Sequence, residues 1–321
     1  MKADHALLPQ GLQVRSWHFR NRVVMPPMVT LRDPVSADGI AWYRRHAEGG
    51  PAMVIIEATG VPRFERDLTA AALQPLVAAI HGAGALAGIQ LFPVDFGTDR
   101  DVGVLTRGEI AGIVAQFAVA ARICREAGMD AVEPHGAHGY LLNRFFSPAD
   151  NPRRDGYGRS LADRMRFGLE VVRAIREAVG EDLMLFYRHT PVKDGSYGLD
   201  ESLPFARELV AAGVDVLDIS PSSFEAPGDR AAPFRELGVP VVAVGNLDLP
   251  GRAEEALSEG RADLVAVGRG QIADPDWAAK AIRDDWSAIT ACTKCNRLCF
   301  GNLRRRVPIA CSVWPGASAE A

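Results

Sequence analysis

Eight short apolar runs recur along the chain, and most are separated by stretches with helical spacing. They cover residues 22–28 (RVVMPPM), 52–61, 86–92, 131–134, 183–189, 216–220, 239–246 and 264–268. The runs are continuously apolar and rich in β-branched residues, so they suit strands buried on both faces of a parallel sheet. Between them, residues 106–128, 161–179, 200–212, 249–258 and 275–284 read as helices, several ended by glycine. Eight such units within about 270 residues fit a (β/α)8 barrel, a TIM barrel of the α/β class, better than an open doubly wound sheet. No Gly-x-Gly-x-x-Gly follows an early strand, which argues against a dinucleotide-binding unit. We expect the barrel to occupy residues 1–286 and a short cysteine-rich segment to occupy 287–321.

Charge excludes some partners. Thirty-six basic and 40 acidic residues leave a net −4 with no basic stripe, so nucleic acid is not expected. No run of 18 apolar residues suggests a membrane span. The first residues carry no continuous apolar stretch of the secretory kind, so the expected compartment is the cytoplasm.

In such a barrel, chemistry sits where strands end and loops begin. His135, His138 and Tyr140 follow the fourth run. Two imidazoles can donate N–H bonds to one ligand oxygen, and a phenol beside them can give or take a proton. The same residues would also suit structural histidines capping a loop. The last two runs end in Gly245-Asn246 and Gly268-Arg269-Gly270. Glycines there let backbone N–H groups approach a phosphate, and the loops after strands seven and eight are the usual barrel phosphate site. Any one of these glycines alone would suit a plain turn.

Five cysteines remain. Cys124 lies alone in a helix and reads as core. Cys292, Cys295, Cys299 and Cys311 are spaced C-x2-C-x3-C-x11-C, which fits zinc or an iron–sulfur cluster.

The sequence from His135 to Leu141 (HGAHGYL) runs into Phe145-x-Ser147-Pro148-x-x-Asn151-x-Arg153-x-Asp155-x-Tyr157-Gly158-x-Ser160-x-x-x-Arg164. This stretch resembles the signature of the old yellow enzyme family of FMN oxidoreductases. The resemblance implies that His135 and His138 hold the carbonyl oxygen of an activated alkene and that Tyr140 protonates its alpha carbon. It makes the phosphate ligand at Gly245, Asn246, Gly268 and Arg269 that of FMN. It places Pro27 and Met28 along the flavin, Ala58 and Gln90 near its ring, and Arg188 facing N1 and O2. A buried arginine inside an apolar run also needs an anionic partner.

There are departures. Val29 stands where the family usually has Thr, Cys or His, so the polar contact near flavin C4=O is either lost or supplied by Thr30. The family's histidine and arginine after strand three are absent from Gln90-Leu91-Phe92-Pro93 onward.

The cysteine spacing resembles the 4Fe–4S segment of the barrel subfamily that contains 2,4-dienoyl-CoA reductase, 2-enoate reductase and trimethylamine dehydrogenase. It implies a cluster on Cys292, Cys295, Cys299 and Cys311. The basic run Arg304–Arg306 lies between the third and fourth ligands. Relatives of that kind continue into FAD and NAD(P)H domains, so a separate redox partner protein is expected here. NADH or NADPH would then be a direct or an indirect donor. The implied activity is reduction of an enone, enoate or enoyl thioester, or the reverse desaturation. The alternatives are an amine dehydrogenase or demethylase, or a non-catalytic electron-transfer subunit. A homo-oligomer is compatible with all three.

Overall fold

The structure, a computed structural model, describes residues 6–95, 97–98, 100–223 and 228–317. An antiparallel hairpin opens the chain, β1 (Leu12–Val14) with β2 (Trp17–Phe19). The barrel strands follow: β3 (Val23–Met25), β4 (Met53–Gly60), β5 (Leu86–Phe92), β6 (Ala131–Gly136), β7 (Met184–His189), β8 (Val216–Ile219), β9 (Val241–Val244) and β10 (Leu264–Ala266). Parallel pairing runs in sequence order and closes β10 onto β3, as the eight apolar runs predict.

Helices α1 (Ala37–Glu48), α2 (Ala70–Gly82), α3 (Arg107–Glu126), α4 (Leu141–Phe146), α5 (Leu161–Val179), α6 (Leu199–Ala211), α7 (Pro250–Ser258), α8 (Arg269–Ala273) and α9 (Trp277–Ile282) connect the strands, and α10 (Phe300–Arg305) lies in the cysteine segment. The long helices begin where local chemistry allows. Thr106 and Glu109 form a reciprocal capping box at α3, and Ser160 caps α5 by accepting from Asp163 N–H. Gly180, at φ 57°, ends α5.

Two apolar layers follow from the period-two alternation of the strands. Met53, Ile55, Ala131, Met184, Phe186, Val216, Val242 and Leu264 fill the barrel interior, together with Val14 and Phe19 of the hairpin. Val54, Ile56, Ile89, Val132, Leu185, Tyr187 and Leu217 face the helices. Cys124 is fully buried in that outer layer, as read from the sequence. No helix among the described residues is long and apolar enough to cross a membrane.

The structure adds what the sequence reading lacked. The hairpin, α1, α2, α4, α8 and α10 fall outside the helices and strands expected from the sequence, and a 3-10 stretch (Gly228–Leu237) stands between β8 and β9. The last two barrel strands are shorter than their apolar runs. β9 stops before Gly245 and Asn246, which turn the chain at φ 112° and 52°.

Candidate active site

Alternation fixes which side chains rise toward the C-terminal mouth of the barrel. Inward positions on β6 are Ala131, Glu133 and His135; on β7 they are Met184, Phe186 and Arg188; on β8 and just beyond it they are Val216, Asp218 and Ser220. The ladder sets His135 beside Arg188 and Arg188 beside Asp218. These strands lead from an apolar floor into a polar layer and then into a cavity of about 430 Å³, within the range of small-molecule sites.

The residues read from the sequence as flavin or substrate contacts line that cavity, with the exception of Thr30. Pro27, Met28 and Val29 come from the end of β3, Ala58 from β4 and Gln90 from β5. His135, His138 and Tyr140 come from β6 and the loop after it, and Arg188 comes from β7. Gly245, Asn246, Gly268 and Arg269 stand at the ends of β9 and β10. Thr30 does not line the cavity. It is fully buried, and its hydroxyl accepts from Arg32 N–H at 3.1 Å, so Val29 leaves an apolar surface where the family carries a polar one.

The loop after β6 is held from several sides. A Cβ on Gly136 would lie 2.3–2.4 Å from the ring of Tyr187, so glycine is required there. His138 adopts φ 61°, an uncommon conformation for a non-glycine residue, and its N–H donates to Thr190 Oγ1 at 3.0 Å. Gly139 N–H donates to Asn143 Oδ1 at 2.9 Å, and Asn143 donates to the Tyr197 hydroxyl at 2.7 Å. Tyr140 precedes α4 and is 36% exposed, with its ring edge-on to Phe92 and His135 at 5.0 Å. Burial raises its pKa, which keeps the phenol protonated at neutral pH.

Both histidines are neutral. Burial, then the charges of His138 and Arg188, drives His135 well below its ordinary pKa; burial and Arg188 push His138 down to about 3. Ala137 N–H donates to His135 Nδ1 at 3.3 Å, which leaves the proton of that ring on Nε2. Nε2 lies 3.4 Å from His138 Nδ1, and His138 Nε2 lies 2.8 Å from Ser220 Oγ. Arg188 Nη2 donates to the same Ser220 oxygen at 3.1 Å. A hydroxyl can donate or accept, so Ser220 permits either neutral tautomer of His138. A ligand oxygen that displaces the contact between the rings can then receive an N–H from each.

Arg188 has the anionic partners that its burial requires. Nη1 lies 3.6 Å from Asp218 Oδ2 and 4.0 Å from Glu133 Oε1, while Nε has no hydrogen-bond partner among the described residues. Gln90 Nε2 donates to Glu133 Oε1 at 2.7 Å. Glu133, Asp218 and Ser220 were not singled out in the sequence. The signal was present, since each stands at every second position of an otherwise apolar strand.

The cysteine segment covers one side of the cavity. Cys299, Phe300, Leu303 and Ile309 line it. Lys294 Nζ lies 3.4 Å from Asn246 Oδ1 and 3.7 Å from Asp248, and Arg269 donates to Asn296 Oδ1 at 3.3 Å. Ile309 N–H donates to Thr30 O, Arg32 to Ile309 O, and Trp314 Nε1 to Ile272 O, at 2.9–3.0 Å. Burial raises the pKa of Cys299 and Cys311, and the neighbouring cysteines add to the rise. Bonds from Arg297, Ser312 and Thr293 lower Cys295 to about 6. Among the described residues, no three histidine, cysteine or acidic side chains close on the coordination sphere of a single ion.

Comparison with known proteins places this geometry. Residues 95–284 match the NADH:flavin oxidoreductase / NADH oxidase family. An NADH oxidase of Thermoanaerobacter brockii is 35% identical over 94% of this chain and 55% of its own length. An NADPH dehydrogenase of Listeria monocytogenes is 33% identical over 85% of this chain and 93% of its own. The chain thus spans about half the length of the first relative and nearly all of the second. Morphinone reductase superposes with a TM-score of 0.77 at 26% identity, over 92% of this chain and 93% of that one. A 2-naphthoyl-CoA reductase complex superposes at 0.87 over 96% of this chain and 57% of that one; at 24% identity it speaks to the fold.

Proposed function

This chain belongs to the NADH:flavin oxidoreductase / NADH oxidase family, the old yellow enzyme type of oxidoreductase, and we propose that it is an ene-reductase using FMN and a 4Fe–4S cluster. One observation carries the reading: His135, His138, Tyr140, Gln90 and Arg188 converge on one cavity with the glycine turns of β9 and β10. The residues suit FMN. Arg188 Nε–H is left without an acceptor among the described residues, as a donor awaiting a ligand would be. Arg188 and Gln90 would hold the pyrimidine edge, and Gly245, Asn246, Gly268 and Arg269 the phosphate. Pro27, Met28, Val29 and Ala58 supply apolar walls.

The cysteines suit a cluster better than one zinc. The C-x2-C-x3-C-x11-C spacing, taken with the family likeness of the barrel it follows, supports the cluster over zinc. Cys292, Cys295, Cys299 and Cys311 would hold it, and we read residues 287–321 as that segment. A reducing compartment such as the cytoplasm keeps those thiols free.

When bound, FMN supplies hydride chemistry and the cluster supplies single-electron transfer. The chain's own residues do the rest. His135 and His138, both neutral, donate to the carbonyl oxygen of an enone, enoate or enoyl thioester and stabilise the negative charge that develops there. Tyr140, protonated and open to the cavity, delivers a proton to the alpha carbon. Electrons arrive from a partner protein on the exposed Arg304–Arg306 face, or directly from NADH or NADPH.

Amine oxidation is the weaker reading. Asp248, the carboxylate among the described lining residues, already faces Lys294 and is not free to hold an amine. Protein purified without oxygen should contain one FMN and, for a 4Fe–4S cluster, about four irons. An activated alkene should reoxidise its reduced flavin. If no such alkene does, and an amine instead reduces the oxidised flavin, the amine reading takes its place. One zinc and no iron would remove the cluster.

A further inference from the structure

The polar layer beneath the cavity holds more charge than this chemistry uses. Glu133 and Asp218 are 1% and 0% exposed. They face inward from β6 and β8, with Arg188 between them on β7. Arg188 is the one guanidinium within 4.0 Å of either carboxylate among the described residues. His135 and His138 add no positive charge, because both are neutral. Gln90 gives Glu133 Oε1 a neutral hydrogen bond. Among the described residues, no N–H or hydroxyl donates to Glu133 Oε2 or to either oxygen of Asp218.

Two ionised carboxylates against one guanidinium would leave a net negative charge in a site closed to solvent. Burying an uncompensated charge costs far more than protonating one acid. A proton between the two carboxyls restores neutrality and also satisfies oxygens that otherwise have no donor.

We propose that Glu133 and Asp218 hold one proton between them, so that with Arg188 they form a neutral triad, and that this pair is the positioning device that sets how much of the Arg188 charge reaches the cofactor. The second half rests on the FMN reading above. The pKa directions agree: burial and the neighbouring Asp218 drive Glu133 far up, and burial raises Asp218 against the pull of Arg188.

The charge count predicts an unusual mutational pattern. Glu133→Gln and Asp218→Asn each replace one carboxyl of the pair by a neutral amide, and the carboxyl that remains ionises and faces Arg188 as the anion. Each single variant keeps the triad neutral. The double variant leaves Arg188 uncompensated and favours the more negative, reduced state of a flavin beside it.

Two measurements test this. Infrared spectra, with and without flavin, should contain a protonated-carboxyl stretch that shifts in heavy water and is lost in each single variant. The spectra belong at about pH 9, because Glu57, with a pKa raised to about 7, is ionised there. Equilibration of the holoprotein with a redox dye should then move at least tenfold toward reduced flavin in the double variant and less than threefold in either single. The wild-type band requires no variant to fold. Its absence, or a single variant that moves the dye as far as the double, overturns the shared proton. A band present with no dye shift in the double overturns the role toward the cofactor. Protein with the band that binds no FMN would refute the flavin assignment and leave the shared proton standing.

Discussion

The two sides of the cavity are built differently. The floor is the polar layer of β5 to β8, where Gln90, Glu133, Arg188 and Asp218 are buried and their contacts follow from strand register. The roof is the cysteine segment, which contributes no strand and one helix of six residues. Few of its side chains are buried, Leu298, Asn302 and Ile309 among them. It rests on the barrel through a handful of hydrogen bonds. A floor of this kind is as stable as the barrel itself. A roof of this kind needs its own cross-link, and a cluster held by four cysteines would be one. The difference separates a part that performs chemistry from a part that can open without unfolding the rest.

The comparison can be broken at several points. The largest effect belongs to the loop that rises from the floor after β6. Tyr140→Phe should slow reoxidation of reduced flavin by an activated alkene about 10²–10⁴-fold and leave flavin reduction unchanged, because the lost proton donor acts in one half-reaction. Stopped-flow traces of the two half-reactions decide this. Equal slowing of both would mean that the phenol holds the flavin rather than supplying a proton.

The seam between floor and roof comes next. Glu57 accepts the N–H of Thr30, whose carbonyl in turn receives Ile309 of the roof. Burial raises its pKa to about 7. A carboxyl protonated in the folded protein and ionised in the unfolded chain makes folding less favourable as pH rises through that interval. Stability should fall by up to about 3 kcal/mol between about pH 4.5 and 7, then level off. Urea unfolding across pH should show this slope for the wild type and lose it in Glu57→Gln. An unchanged slope in the variant would assign the effect to another group.

Gly136→Ala tests the floor by volume. The added methyl meets the Tyr187 ring, a clash that should cost about 1–3 kcal/mol in chemical denaturation. The smallest effect on global stability belongs to the roof. Cys295→Ala should shift the barrel's unfolding by less than about 0.5 kcal/mol, within the range of surface substitutions, while proteolysis within residues 287–317 accelerates. A large drop in global stability would show that floor and roof are one cooperative unit.

Much of the floor was legible because its constraints are local. β-branched runs and glycine stops mark the barrel strands. His135, His138 and Tyr140 fall at a strand end, and Arg188 betrays itself as a charge in an apolar run. Its partners were harder. Glu133 and Asp218 carry the same signal, but which acid meets which cation depends on register between strands far apart in sequence. The hairpin was missed because three-residue strands are too short to display a period. The roof was read only as a metal-binding spacing. That Leu303 and Ile309 line the cavity, and that Lys294 reaches Asn246, depends on how the segment folds back over the barrel.

The hairpin has a further consequence. Val14 and Phe19 pack onto the interior residues of the barrel and stopper the end opposite the cavity. Traffic is therefore one-ended. Whatever delivers reducing equivalents by entering the barrel and whatever removes them must use the same doorway in turn, so the two visitors compete. An excess of either one should slow turnover, and below that excess double-reciprocal plots of rate against one visitor should give parallel lines as the other is varied.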